Sequence, residues 1–223
     1  MDMRLFALAL GRFVAGLVLV PVLLLVPAGT VHYWNAWLLM IVLFVPMLGV
    51  GLVLAVKDPE LLRKRLSSTE GETEQKQVVL LSGLVLVTAF IVAGLNHRFQ
   101  WFIIPAWLVW VATAIFLLSC LVCAEVMREN AYLSRTVEVQ DHQEVIDTGL
   151  YGIVRHPMYS AVLTLFLTMA LILGSPPSLL VLLLTVPIIA KRIRNEEQVL
   201  VAGLDGYAEY RDRVRYKVVP GLW

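Results

Sequence analysis

Arg155, His156 and Pro157 stand together in the chain, with Tyr151 and a Thr148-Gly149 turn before them and Tyr159 after them. Pro157 opens an apolar run, and proline is favoured at a first helical position because its missing N–H would have no partner there anyway. Arg155 and His156 then flank a helix N-terminus, whose free N–H groups and dipole attract an anion. That arrangement suits a small cradle for a carboxylate or phosphate at the membrane surface. The same residues also read as an interfacial anchor, with Arg155 on lipid phosphate and the tyrosines in an aromatic belt. The residues alone leave both readings open.

A second group lies in Lys191-Arg192-Ile193-Arg194-Asn195-Glu196-Glu197. Arg192 and Glu196 are four apart and share one helix face, so they can act in one pocket on two ends of a reaction. Glu197 lies about 100° further round the helix and is expected to tolerate replacement better. Without a ligand, this segment is a juxtamembrane helix with basic residues at the lipid and acids beyond. The tail from Gly206 to Pro220 interleaves tyrosines with arginines. It reads either as a lid over the site or as an amphipathic segment on anionic lipid. Cys120 and Cys123 sit in an apolar run with no flanking histidine or second pair, so they read as packing residues and no metal site is expected. His32 and His97 read as interfacial on the other face of the membrane, and His142 as a loop residue. The chain has no phosphate-binding glycine loop.

The elements that must position these groups are membrane helices. Of 223 residues, 59% are hydrophobic and 16% charged, against about 45–50% and about 25% in soluble domains. The net charge of +1 excludes a strongly basic nucleic-acid binder, and no nucleic-acid partner is expected. A span needs about 20 apolar residues. Apolar runs cover 5–26, 33–56, 78–95, 101–124, 158–174 and, after the break at Ser175-Pro176-Pro177, 178–190. Alternate connecting segments hold 16 Lys and Arg against 1. By the positive-inside rule this pattern puts both termini, the 57–77 loop, the 125–155 stretch and the tail on the cytoplasmic side. The expectation is therefore an all-α, polytopic helix bundle of about six spans, the last two a short hairpin. Residues 1–124 carry the first four spans, and 125–223 carry a cytoplasmic loop, the hairpin and the tail. Within that second part, 125–155 reads as a short helix followed by extended chain.

The pattern Thr148-x-x-Tyr151-x-x-x-Arg155-His156-Pro157-x-Tyr159, then Arg192-x-x-x-Glu196-Glu197, then Tyr207-x-x-Tyr210 and Val219-Pro220, resembles the isoprenylcysteine carboxyl methyltransferase family and its phospholipid methyltransferase relatives. The resemblance covers roughly residues 125–223. It implies a bound S-adenosylmethionine held by His156, Pro157, Met158 and Tyr159, by Tyr151 and by the extended stretch Gln143, Glu144, Val145 and Ile146. Gln143 stands where the family commonly has histidine, and Leu204-Asp205 where it has Phe-Gly. The resemblance makes Glu196 a cofactor-binding glutamate and Arg192 the arginine that faces the substrate. Arg155 joins the cofactor group as part of the cradle. The implied reaction is methyl transfer to a lipophilic small molecule or lipidated substrate from the bilayer, with carboxylate O-methylation favoured. The positive-inside pattern and the lack of targeting signals suggest a bacterial inner membrane. Two other readings stand beside it: a membrane reductase using NADPH on the same scaffold, and a non-enzymatic transporter or structural protein. The last would call for ionisable residues in mid-membrane, where the runs offer only Arg12.

Overall fold

The computed structural model describes residues 3–66, 73–133, 139–140 and 142–223. Among them are nine α-helices, a single 3-10 turn at Gly149–Gly152 and no strand. In chain order the helices are α1 (Met3–Ala28), α2 (Trp34–Lys57), α3 (Pro59–Leu66), α4 (Thr73–Phe99), α5 (Ala106–Glu129), α6 (Pro157–Ile172), α7 (Pro176–Leu182), α8 (Thr185–Gly203) and α9 (Tyr207–Arg213). The all-α membrane bundle expected from hydropathy is present. Four helices, α1, α2, α4 and α5, and the near-continuous pair α7–α8 are each apolar and long enough to cross a membrane. The expected short span is the fifth run rather than the sixth. α6 has 16 residues and spans about 24 Å, against a hydrocarbon core of about 30 Å, whereas the last run continues as helix to Gly203. The expected division at 124/125 falls inside α5, which runs on to Glu129, and Arg128 pairs with Glu125 one turn earlier at 2.6 Å. Part of the 125–155 stretch, 134–138 and 141, and part of the 57–77 loop, 67–72, lie outside the described residues.

Small residues let the helices close up. An added Cβ at Gly94 of α4 would come within 2.5 Å of the Leu24 carbonyl oxygen of α1. Gly94 thus lets the two backbones come together, as small residues do between helices in lipid. The central cluster joins Leu24, Leu39, Phe90, Phe116, Ile172 and Leu182, drawn from six helices. Outside it, large apolar side chains such as Val45, Val56, Leu80 and Leu121 are exposed, as suits a surface bathed in lipid. Arg12, the one charge inside the first run, donates to the Leu66 carbonyl at the end of α3.

α6 ends inside the bundle, so its last carbonyls need donors that water cannot supply. Asn35 Nδ2 of α2 donates to Ile172 O at 2.7 Å, and the Tyr33 hydroxyl donates to Leu173 O at 2.5 Å. Asn96 Nδ2 of α4 donates to Gly174 O at 3.2 Å and to Phe102 O at 3.1 Å. Tyr33 stacks on His97, with ring centroids 4.1 Å apart. These contacts put the links α1–α2, α4–α5 and α6–α7 at one end of the bundle. The α2–α4 and α5–α6 segments and the tail lie at the other, as strict up-and-down alternation requires.

Candidate active site

At the tail end of the bundle, one pocket of about 550 Å³ gathers all twelve residues singled out from the sequence: Gln143, Glu144, Val145, Ile146, Tyr151, Arg155, His156, Pro157, Met158, Tyr159, Arg192 and Glu196. Its volume lies within the range of about 300–1,000 Å³ usual for small-molecule sites.

The approach to α6 is built from the end of α5. Gly149 adopts φ +49°, where a side chain is strained, and a Cβ there would fall 2.4 Å from the Glu129 carboxylate and force it to shift. Thr148 Oγ1 donates to Glu129 Oε1 at 2.7 Å. The seated turn presents Tyr151, whose hydroxyl accepts from Asn130 Nδ2 at 2.9 Å and whose carbonyl accepts from the Tyr210 hydroxyl at 2.8 Å. The stretch 143–146 is free of helix, and successive side chains of extended chain point to opposite sides. Val145 accordingly packs on the cluster of Leu204, Tyr207 and Tyr210, and Ile146 packs on Val126, Tyr151 and Met158. Gln143 is held locally, its side-chain Oε1 accepting from the Gln140 N–H at 2.9 Å.

The expected open anion cradle is filled by the chain itself. Arg155 is buried. Its Nε donates to Glu197 Oε1 at 2.7 Å, and its Nη1 donates to the carbonyls of Val214 and Arg215 at 2.6 and 3.0 Å. The N–H groups of Arg155 and His156 donate to the Tyr216 and Lys217 carbonyls at 2.9 and 2.8 Å, and those of Tyr159 and Ser160 close back on the His156 carbonyl. Arg155 therefore lines the pocket while much of its donor capacity fastens the tail.

Glu197, which the sequence places off the Arg192–Glu196 face, is the buried hub of this end, 8% exposed. Its two oxygens meet Arg155 at 2.7 Å, His156 Nε2 at 3.3 Å and Lys217 Nζ at 2.6 Å. The sequence does carry a signal for this: the buried face of α8 runs Thr185, Ile189, Ile193, Glu197, a strict four-residue stripe that ends on the glutamate.

The neighbouring stripe faces the pocket. Arg192 Nε donates to the Tyr159 hydroxyl at 2.9 Å, and that hydroxyl donates to Glu196 Oε2 at 2.6 Å. His156 Nδ1 lies 3.9 Å from Glu196 Oε1. Arg192 and Glu196 do share a face, and Tyr159 of the facing helix joins them. Opposite, α4 supplies a wall that the sequence reading missed, Val78, Val79, Ser82, Gly83 and Leu86. With Val162, Phe166 and Ile189 it makes the pocket apolar toward the bundle.

The tail covers the site. Arg213 pairs with Asp147, and Ser160 Oγ donates to the Val218 carbonyl at 2.6 Å. Tyr207 and Tyr210 of α9 both line the pocket, and burial, foremost, raises the phenol pKa of each. The Tyr210 hydroxyl is bonded to Tyr151. The Tyr207 hydroxyl is buried with no partner among the described residues. Among the described residues, no cluster of metal-ligating side chains occurs, and Cys120 and Cys123 are unbridged.

The model of the phospholipid methyltransferase family matches residues 107–204, a span that includes all twelve candidate residues. No curated protein matches the chain. Among solved structures, the eukaryotic intramembrane Ras methyltransferase ICMT, isoprenylcysteine carboxyl methyltransferase, superposes with a TM-score of 0.59 at 18% identity. The match covers 94% of this chain and 76% of that one. Over its site-bearing part this chain thus matches a methyltransferase family, and over nearly its whole length it has the fold of an intramembrane methyltransferase.

Proposed function

We propose that the chain transfers the methyl group of S-adenosylmethionine to a lipophilic acceptor at the membrane, and that the acceptor is a carboxylate. The observation that carries this reading is the 550 Å³ pocket, polar where Tyr159, Arg192 and Glu196 meet and apolar where α4, α6 and α8 enclose it. Those residues fit such a cofactor: Glu196 can accept from an amine or ribose hydroxyls, and Val145, Ile146 and Met158 offer apolar walls to a base. Bound there, the cofactor supplies a methyl on a sulfonium whose leaving group is a neutral thioether.

The chain's own part is to bind and aim. Arg192 can hold an acceptor carboxylate through its guanidinium fork, with Tyr159 fixing the fork at its Nε. A carboxylate is ionised at neutral pH, so no proton has to be removed from it. An amine acceptor would have to lose one. His156 is turned to Glu197 and Glu196 accepts from Tyr159, which leaves neither aimed as a dedicated base. Positioning then supplies most of the acceleration. The Lys and Arg excess at the pocket end of the bundle supports a cytoplasmic site with both termini on that side, in a bacterial inner membrane.

The match to the phospholipid methyltransferase family favours a second reading, N-methylation of a lipid amine. One assay separates the two. The purified protein in detergent is given cofactor tritiated in the methyl group together with a prenyl thioether carboxylate or phosphatidylethanolamine. Base-labile counts in the lipid fraction mark a methyl ester and support the carboxylate reading. Base-stable counts on the amine lipid overturn the carboxylate choice alone, and no counts on either would sink the proposal.

A further inference from the structure

The α4 wall of the pocket has one low point. At 100° per residue, Val78, Ser82, Leu86, Val79 and Gly83 follow one another round an arc of about 140°, with Gly83 at its edge. About 60° further round comes Leu80, then Leu84, both exposed on the outer surface of the helix. Gly83 is itself exposed, so it stands where the pocket wall meets the lipid-facing side. It also lies well inside the membrane, about 10 Å along the helix from Lys76, where the span begins. Neither packing nor backbone calls for glycine here. The residue is helical, and a Cβ added to it would meet open space. By contrast, a Cβ on Gly94 of the same helix would strike the Leu24 carbonyl. Gly11, Gly49 and Gly51 are as free of neighbours as Gly83, but none of them lines the pocket.

From this placement we infer that Gly83 is the sill of a sideways opening from the pocket to the bilayer, and that it sets which acceptors are used. The inference rests on the methyl-transfer reading above and narrows its substrate class. A volume of about 550 Å³ suits one small molecule, and the methyl donor occupies much of it. An acceptor with its carboxylate on Arg192 can keep only its reacting end inside. The rest of a long apolar chain has to leave, and the bare backbone at Gly83 lets it pass into lipid at hydrocarbon depth. The acceptor is thus a long-tailed amphiphile, and a side chain at position 83 works against the tail.

The test uses two thioether carboxylates that differ only in carrying a hexyl or a hexadecyl chain. Turnover of each is measured for the parent, Gly83→Ala, Gly83→Leu, Gly83→Phe and the lipid-facing control Gly49→Phe, all full-length in detergent, with S-adenosylhomocysteine affinity by calorimetry. The readout is the ratio of kcat/KM for the long acceptor to that for the short one. It is expected to fall stepwise from Ala to Leu to Phe, by about 10-fold at the end of the series, the low end of what an apolar site discriminates. The loss should appear in KM, with nucleoside affinity within a few-fold of the parent. Gly49→Phe should keep the parental ratio. If Gly83→Phe does not fold, Gly83→Ala and Gly83→Leu still give the trend. An equal fall for both acceptors overturns the inference, because position 83 is then only structural. A parental ratio in folded Gly83→Leu overturns it too, because no tail then crosses there, and either result leaves the methyl-transfer reading intact. A parent that methylates neither acceptor overturns the carboxylate reading and this inference with it.

Discussion

The two ends of α6 solve opposite problems. At its C-terminal end, neutral side chains from α2, from the residue that caps it and from α4 reach in and satisfy backbone carbonyls: Asn35 on Ile172, Tyr33 on Leu173 and Asn96 on Gly174. At its N-terminal end the groups are charged, and one carboxylate, Glu197, gathers Arg155, His156 and Lys217. Both buried side-chain atoms without a partner among the described residues, Glu129 Oε2 and the Tyr207 hydroxyl, also lie at this end. The neutral end lets a helix too short for the bilayer stop inside it. The charged end holds a tail in place over a hollow and leaves polar capacity unspent there. One end therefore serves the fold, and the other serves the fold and a ligand together. Mutations should separate these two roles.

Glu197 should show the largest effect. Glu197→Ala leaves Arg155 and Lys217 without their carboxylate in a buried setting, and breaking such a pair costs about 3–5 kcal/mol. The expected outcome is a steep loss of thermal stability in detergent and release of the tail, read as new proteolytic cleavage between 206 and 223. A Glu197→Ala protein with parental stability would break the comparison, because the charged end would then contribute nothing to the fold. Glu196→Gln should keep the fold and weaken the nucleoside instead.

Next comes the pocket stripe. Arg192→Ala should lower turnover by about 10²-fold, the cost of a misplaced reactant, with cofactor affinity within a few-fold of the parent. Arg192→Lys should rescue poorly, because an ammonium cannot present a planar fork. Tyr159 bonds to both Arg192 and Glu196, so Tyr159→Phe should impair turnover and cofactor binding together. Kinetics and calorimetry on these three variants and on Glu196→Gln sharpen the comparison. If Arg192→Ala loses the cofactor and Glu196→Gln does not, the two ends of the stripe have been assigned the wrong way round.

How far these contrasts were legible in the sequence depends on the range of the contacts involved. The spans could be read because twenty apolar residues in a row are a local signal, and Ser175-Pro176-Pro177 marked the hairpin because proline ends a helix locally. The pocket stripe could be read because Arg192 and Glu196 are one turn apart. The ion pairs of Glu197 were not legible because its partners come from elsewhere: Lys217 lies in a tail that folds back, and Arg155 lies before α6. Ser82 and Gly83 were missed because they sit in an apolar run without periodicity, and a Cβ added at Gly83 would meet open space, so no close helix contact marks the pair. The free Tyr207 hydroxyl had no sequence signature at all. Tyr207 and Tyr210 are chemically identical, and only the packed fold decides which one finds a carbonyl.

The smallest effect is expected at the neutral end, and it is the sharpest test of the comparison. Asn96 Nδ2 donates to the carbonyls of Phe102 and Gly174, and its Oδ1 accepts from the Phe102 N–H at 3.1 Å. Side-chain hydrogen bonds between membrane helices are worth about 0.6 kcal/mol on average and about 1.7 at most, because the unfolded helices find other partners within the lipid. Asn96→Ala should therefore lower the thermal midpoint by a small, measurable amount, and Asn35→Ala, which removes one bond, by no more than that. Neither residue reaches the pocket of Tyr159, Arg192 and Glu196. Turnover per folded molecule and nucleoside affinity should thus stay at parental values in both variants. A double variant should lose roughly the sum of the two in stability, with affinity still unchanged, provided that the end acts only as a cap on α6. If instead Asn96→Ala shifts nucleoside affinity several-fold at constant folded fraction, α6 transmits strain along its length. The two ends would then be one coupled device, and the division drawn between them would fail.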